Sequence, residues 1–150
     1  MADQSRDVAA VTAANAAFYQ AIEHADLDLM HALWLDVPGM VVHCVHPGTR
    51  AVRGRSEVMR SWAAVMAGVS YIQFFITDVE VQLSGDVALV TCQENVLTGV
   101  DSPSGDPTGF AGGLALATNV FHRGGGGWRL WLHHASPVLS VSTDAQEETG

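Results

Sequence analysis

Apolar residues recur at helical spacing between Asp7 and His24, where Val8, Val11, Phe18 and Ile22 form one stripe, alanines fill the intervals and neither glycine nor proline interrupts. This pattern predicts a first helix, with Asn15 and Tyr19 sharing or flanking the stripe and so turned at least partly toward the core. Asp26 stands where an N-cap belongs, and Leu27, Met30, Leu33 and Trp34 behind it predict a second, shorter helix that Asp36-Val37-Pro38-Gly39 breaks. Met40 to His46 is apolar on both faces and reads as a short strand covered on each side, stopped by Pro47-Gly48. After Gly54 the stripe Val58, Met59, Trp62, Val65 and Met66 predicts a third helix over 56–66.

From Tyr71 onward the period changes to two. Tyr71 to Leu83 and Val87 to Thr98 alternate as strands of an antiparallel sheet, joined by a turn at Ser84-Gly85-Asp86. A third strand is expected from Leu114 to Arg123, and the Gly-, Pro- and Ser-rich stretch from Gly99 to Gly113 reads as a loop, a natural flap over a cavity mouth. Gly124 to Gly127 opens the last strand, Trp128 to Pro137, which the proline ends. Strict alternation puts Trp128, Leu130, Leu132 and His134 on one face and Arg129, Trp131 and His133 on the other, so His134 is the imidazole expected to follow the apolar row inward. The order implies an α+β fold in which a curved, mostly antiparallel sheet wraps three N-terminal helices around a hollow. Residues 1–6 are expected to be a flexible start, 7–139 a single domain and 140–150 an acidic disordered tail.

Composition narrows the function classes. A chain of 150 residues can bury roughly two thirds of its unfolded surface as one domain. With 48% hydrophobic and 15% charged residues it is apolar enough to leave surface for an apolar cavity or a partner, and a homodimer is expected. The net charge of −9 disfavours nucleic acid and membrane surfaces, and no run approaches a membrane span. Cys44 and Cys92 sit in apolar runs and read as reduced thiols; no apolar leader precedes Asp7, so a cytoplasmic protein is expected.

The residues that could carry chemistry are few. Glu94 falls in phase with Ala88, Val90 and Cys92, and desolvation on such a face would raise its pKa toward a general acid or base, unless an arginine or the strand end makes it structural. Asn119, in phase with Ala115, Ala117 and Phe121, could hold a carbonyl or be a satisfied core amide. His43 and His46 are each candidate bases or buried histidines bonded to backbone. Histidines adjacent or three apart on a strand point to opposite sides, so no metal is expected. Gly124 to Gly127 opens a strand rather than a helix, which gives no phosphate cradle, and no serine has a nucleophile-elbow context.

Asn15-Ala-Ala-Phe-Tyr19 with Asp26 and Leu33-Trp34, His43-Cys-Val-His-Pro-Gly48, Gly54-Arg-Ser-Glu-Val-Met-Arg-Ser-Trp62, Ala117-Thr-Asn-Val-Phe121 and the Trp128 to Pro137 ending occur together. Jointly they resemble the SnoaL-like group of the NTF2-like superfamily, near the DUF4440 proteins; Thr49 stands where that group often has tryptophan. The resemblance implies a cone-shaped α+β fold and a homodimer. Its function is open, since the superfamily holds ketosteroid isomerase, scytalone dehydratase, polyketide cyclases and limonene epoxide hydrolase beside members that only bind or assemble. The expectation is a cofactor-independent dehydratase, isomerase or cyclase acting on a small, apolar, carbonyl-bearing molecule. His43 or His134 would remove a proton, Tyr19 or Asn119 would support the enolate oxygen and Glu94 would return the proton, with Trp34, His46, Trp62 and Phe121 lining the substrate. The alternatives are a non-catalytic binder, a dimerising accessory module, or a protein partner of a biosynthetic enzyme.

Overall fold

The first helix runs further than its apolar stripe, and α1 spans Ala2–Glu23. A computed structural model describes residues 2–101 and 107–139 of the chain. Residues 2–6, expected to be a flexible start, thus belong to the helix, where Asp3 in the first turn complements the helix dipole. Arg123 fastens this helix to the sheet by a two-pronged contact with Asp7 at 2.8 and 2.9 Å. The acidic tail expected over 140–150 lies outside the described residues.

Helix α2 (Leu27–Leu33) starts at Asp26, whose Oδ1 accepts the Leu29 N–H at 3.0 Å and so satisfies one of the free amides of the first turn. Helix α3 (Arg55–Gly68) buries Val58, Met59 and Trp62. Arg55 ties the two together, donating to the carbonyls of Trp34 and His31.

Among the described residues the sheet has six strands: β1 (His43–Val45), β2 (Ala51–Arg53), β3 (Ile72–Ser84), β4 (Val87–Asp101), β5 (Pro107–Gly124) and β6 (Gly127–Pro137). Their order is β2-β1-β6-β5-β4-β3, with β1 parallel to β6 and every other pairing antiparallel. The architecture is α+β with an open, mixed sheet. The strand expected over Met40 to His46 shortens to three residues. Val41 is 51% exposed, so that run is not covered on both faces. β2 was too short for any alternation to announce.

Of the stretch from Gly99 to Gly113, expected to be a flap, residues 102–106 lie outside the described residues and the flanks on either side are strand. Gly99 pairs with Phe110, Val100 with Gly109 and Asp101 with Pro107, so β4 and β5 extend each other as a long hairpin. Its composition reads as loop, but a partner strand in register satisfies backbone groups whatever the side chains are.

Two register shifts re-aim side chains. In β3 the shift falls between Thr77 and Glu80, so that Asp78 and Val79 together oppose Cys92, and Asp78 takes a left-handed φ of 55°. In β6 Val120 pairs with Leu132 but Phe121 with Leu130, leaving Trp131 as an extra residue. Trp131 and Leu132 consequently both face outward, and the alternation resumes one residue late. That offset buries His133 and exposes His134.

Between the helices and the inner sheet face lies an apolar core that includes Phe18, Met30, Trp34, Val90, Phe121 and Leu130. Among the described residues, four polar ones are buried with it: Asn15, Glu94, Asn119 and His133.

Candidate active site

The four buried polar residues and Tyr19 form one hydrogen-bonded chain. Asn15 and Tyr19 are one helical turn apart on α1 and look onto the sheet, while Glu94, Asn119 and His133 come from the adjacent strands β4, β5 and β6. The Asn119 amide nitrogen donates to Asn15 Oδ1 at 2.8 Å and to the Tyr19 hydroxyl at 3.2 Å. Its carbonyl oxygen is therefore left to accept, and His133 Nδ1 donates to it at 2.6 Å. Tyr19 in turn donates to Glu94 Oε2 at 2.6 Å.

This accounting fixes the imidazole tautomer. With its proton on Nδ1, His133 presents a bare Nε2 lone pair, and Glu94 Oε2 lies 4.0 Å from that atom. The ring is held by Phe18 and Trp62, at centroid distances of 4.7 and 5.8 Å. Burial, with smaller contributions from His46 and His134, holds the His133 pKa down at about 3. Burial pushes the Glu94 carboxyl the other way, above its usual range, against the downward pull of the Tyr19 hydrogen bond. The contact is thus one between a neutral ring and a carboxyl, not an ion pair. Tyr19 is held far above the ordinary phenol range by burial first and by Glu94 and Cys92 beside it. It is a hydrogen-bond donor, not a phenolate.

His133 is the member that alternation alone misassigns. His134 was expected inside; the extra residue at Trp131 turns it to solvent, paired with Thr118 and Val45. His43 also fails to join Glu94. It alternates with buried Val42 and Cys44 and lines a cavity on the opposite sheet face, with Val41 and Trp131.

The other expected residues divide by position. His46 is half-buried, its Nε2 2.9 Å from Ser61 Oγ and its ring 4.5 Å from that of Trp62. Ser61 spends its own proton on the Val58 carbonyl, so His46 Nε2 is the donor of the pair. Trp62 is buried with its indole N–H lacking a well-formed partner among the described residues. Trp34 donates to Met30 Sδ at 3.2 Å and packs edge-on to Phe18, and Phe121 is wholly buried; both are core, one layer away from the polar chain. Asn15, whose phase pointed inward, completes the site. Among the described residues, no three His, Cys, Asp or Glu side chains converge as a metal-ligand set.

Two of the cavities border the residues named above. The larger, about 580 Å³, is on the outer face between Met40, Val41, His43, Val120, Trp131 and Leu132, away from the buried chain. The smaller, about 280 Å³, lies between α1 and β3 and reaches Asn15 and Tyr19.

Three helices over an open mixed sheet are the α+β layout of NTF2-like proteins, a fold shared with a 50%-identical solved relative. Residues 11–140 match the SnoaL-like domain, and the chain belongs to that family. Its fold matches that of a Streptomyces avermitilis protein named a "putative dehydratase from the NTF2-like family", with a TM-score of 0.86 and 50% identity over 91% of this chain and 99% of that one. A Thiobacillus denitrificans protein named as a "putative calcium/calmodulin-dependent protein kinase type II association domain" matches with a TM-score of 0.71 and 32% identity, over 85% of this chain and 94% of that one. The Arabidopsis thaliana F-box protein SKIP8 is 29% identical over 130 residues, 87% of this chain. The chain spans about half the length of that curated relative (50%). No helix among the described residues is long and apolar enough to cross a membrane.

Proposed function

We propose that the protein is a cofactor-independent acid–base enzyme, dehydratase-like, acting on a small, largely apolar molecule that carries a carbonyl. The observation that supports it is the facing of His133 Nε2 and Glu94 Oε2 across 4.0 Å inside a buried, hydrogen-bonded chain, with burial displacing the two groups in opposite directions. In the step envisaged, His133 Nε2 takes a proton from the carbon beside the carbonyl and the C–H electron pair forms the carbon–carbon double bond. The C–O bond to a β-hydroxyl breaks with its electrons leaving on oxygen, and Glu94 supplies the proton that releases water. The proton then passes from His133 to Glu94, which restores both. Tyr19 turns its proton from Glu94 to the carbonyl oxygen as charge develops there, and Asn119, whose two amide hydrogens go to Asn15 and Tyr19, holds the phenol in place. The name of the S. avermitilis relative agrees with this class. A cytoplasmic setting agrees with Cys44 and Cys92 both being free.

The test uses cyclohexanone in D2O, whose α-protons report proton abstraction without knowledge of the natural substrate. The wild-type protein is expected to accelerate their exchange, seen as loss of the α-proton NMR signal. Glu94→Gln and His133→Ala are each expected to slow it by about 100-fold or more. Exchange at the wild-type rate in both variants would refute the proposal.

A second reading concerns assembly. On the outer sheet face Phe75, Leu116 and Val41, the last in the wall of the outer cavity, are 57%, 51% and 51% exposed, more apolar surface than a monomer needs. We infer that this face pairs two copies of the chain, an arrangement in keeping with the name of the T. denitrificans relative. Leu116→Glu is expected to shift the protein from dimer to monomer in sedimentation equilibrium, and an unchanged mass would count against it.

A further inference from the structure

The polar chain lies beneath a packed core, so a substrate needs a way to it, and the edge of the sheet supplies one. β3 is the terminal strand of the sheet order, and α1 lies against it. Along α1 the residues Thr12, Asn15, Ala16, Tyr19, Gln20 and Glu23 follow the spacing of one helical face and form one wall of the 280 Å³ groove; Phe74, Ile76 and Val79 form the other. The groove is therefore continuous with the site: Tyr19 and Asn15 belong to both.

Three features shape it for a ligand. The register shift at Asp78 and Val79, with Asp78 in a left-handed conformation, brings Val79 into the β3 wall; strained backbone of this kind persists where the surrounding structure imposes it. Asn15 spends its Oδ1 on the Asn119 amide, which leaves its own amide nitrogen as the donor for a carbonyl oxygen in the groove it lines. Glu23 closes one end, its carboxylate already accepting from the Phe74 backbone N–H at 2.8 Å and from Gln73 at 3.0 Å. That end repels anions. The volume sits just under the ~300–1,000 Å³ usual for small-molecule sites, which suits a single-ring compound.

We propose that this α1–β3 groove is the substrate-binding site, taking a neutral, mostly apolar molecule whose one carbonyl oxygen is held by Asn15 and Tyr19. The proposal rests on the acid–base reading above for its purpose but not for its test. Cyclohexanone is titrated into ¹⁵N-labelled protein and binding is followed by amide shifts, independently of turnover. Shifts are expected at Ala16, Gln20, Phe74 and Ile76. Filling the groove from either wall, with Ala16→Trp on the exposed side of α1 or Val79→Trp on β3, is expected to weaken binding at least tenfold and to slow α-proton exchange with it. Val41→Trp, which fills the outer cavity instead, is expected to leave both unchanged. Glu94→Gln is expected to keep the amide shifts while losing exchange. Shifts confined to residues 40–43 and 131–132, or undiminished binding in folded Ala16→Trp and Val79→Trp proteins, would overturn the groove. Groove binding without any exchange in the wild type would instead uphold the groove and remove the acid–base reading.

Discussion

The two faces of the sheet carry opposite arrangements. On the inner face, under the helices, polar groups are buried and nearly every one is spoken for: Asn119 alone serves Asn15, Tyr19 and His133. On the outer face, apolar side chains such as Phe75 and Leu116 stand in solvent, and the cavity there is twice as large as the inner groove. Size thus does not mark the chemistry. A cavity with apolar walls on an exposed face suits contact with another surface, whereas charge-shifting work needs fixed dipoles in a dry place, and only the inner face provides them.

The sharpest way to break this contrast is to cut the inner chain at its centre. Asn119→Leu keeps the volume but strands the His133 Nδ1–H and the Asn15 carbonyl oxygen and removes a donor from Tyr19. Each buried group left unpaired costs about 1–3 kcal/mol, so urea denaturation should show a loss of roughly 3 kcal/mol or more. A loss below ~0.5 kcal/mol would mean that the inner polar groups are not a connected unit.

Acid probes the same face more gently. His133 has its folded pKa held at about 3, below the ordinary value of 6.5, so between those limits the unfolded chain binds a proton that the folded one refuses. Stability must therefore fall as pH drops below 6.5, with a slope approaching about 1.4 kcal/mol per pH unit from this residue. Glu94 works in the other sense: its raised pKa makes the folded state bind the extra proton above 4.5, so its contribution is lost as pH rises through that window. His133→Asn should flatten the acid limb of a stability–pH curve measured by denaturation, and an unaltered limb would place the lost stability elsewhere.

How much of this was legible beforehand follows from what each signal depends on. Helices α1 and α3 announce themselves by periodicity, and Glu94, Asn119 and Tyr19 are inward because each lies in phase with apolar neighbours. Those are local facts. The pairing of Asp101 with Pro107 is not, because the ladder of a long hairpin is decided by the opposite strand and overrides a loop-like composition. β2 has three residues and no period to read. The imidazole was misassigned for a similar reason. Trp128 through Ser136 is consistent with either phase, and the extra residue at Trp131 shows itself only once β5 is laid beside it. The one sequence hint was Leu130-Trp131-Leu132, three bulky apolar residues in succession where alternation asks for a polar one between.

The smallest expected effect tests that offset directly, since two adjacent histidines differ only in which face receives them. His134 is exposed and paired across the backbone with Val45 and Thr118, and no hydrogen bond to its ring helps form the polar chain. Its removal leaves no buried group unpaired. His134→Ala should therefore shift stability by no more than ~0.5 kcal/mol, as surface substitutions do, and leave cyclohexanone exchange at the wild-type rate. If it instead abolished exchange while His133→Ala did not, the strand would carry its histidines in the phase that strict alternation implies, and the inner face would have to be rebuilt around the other ring.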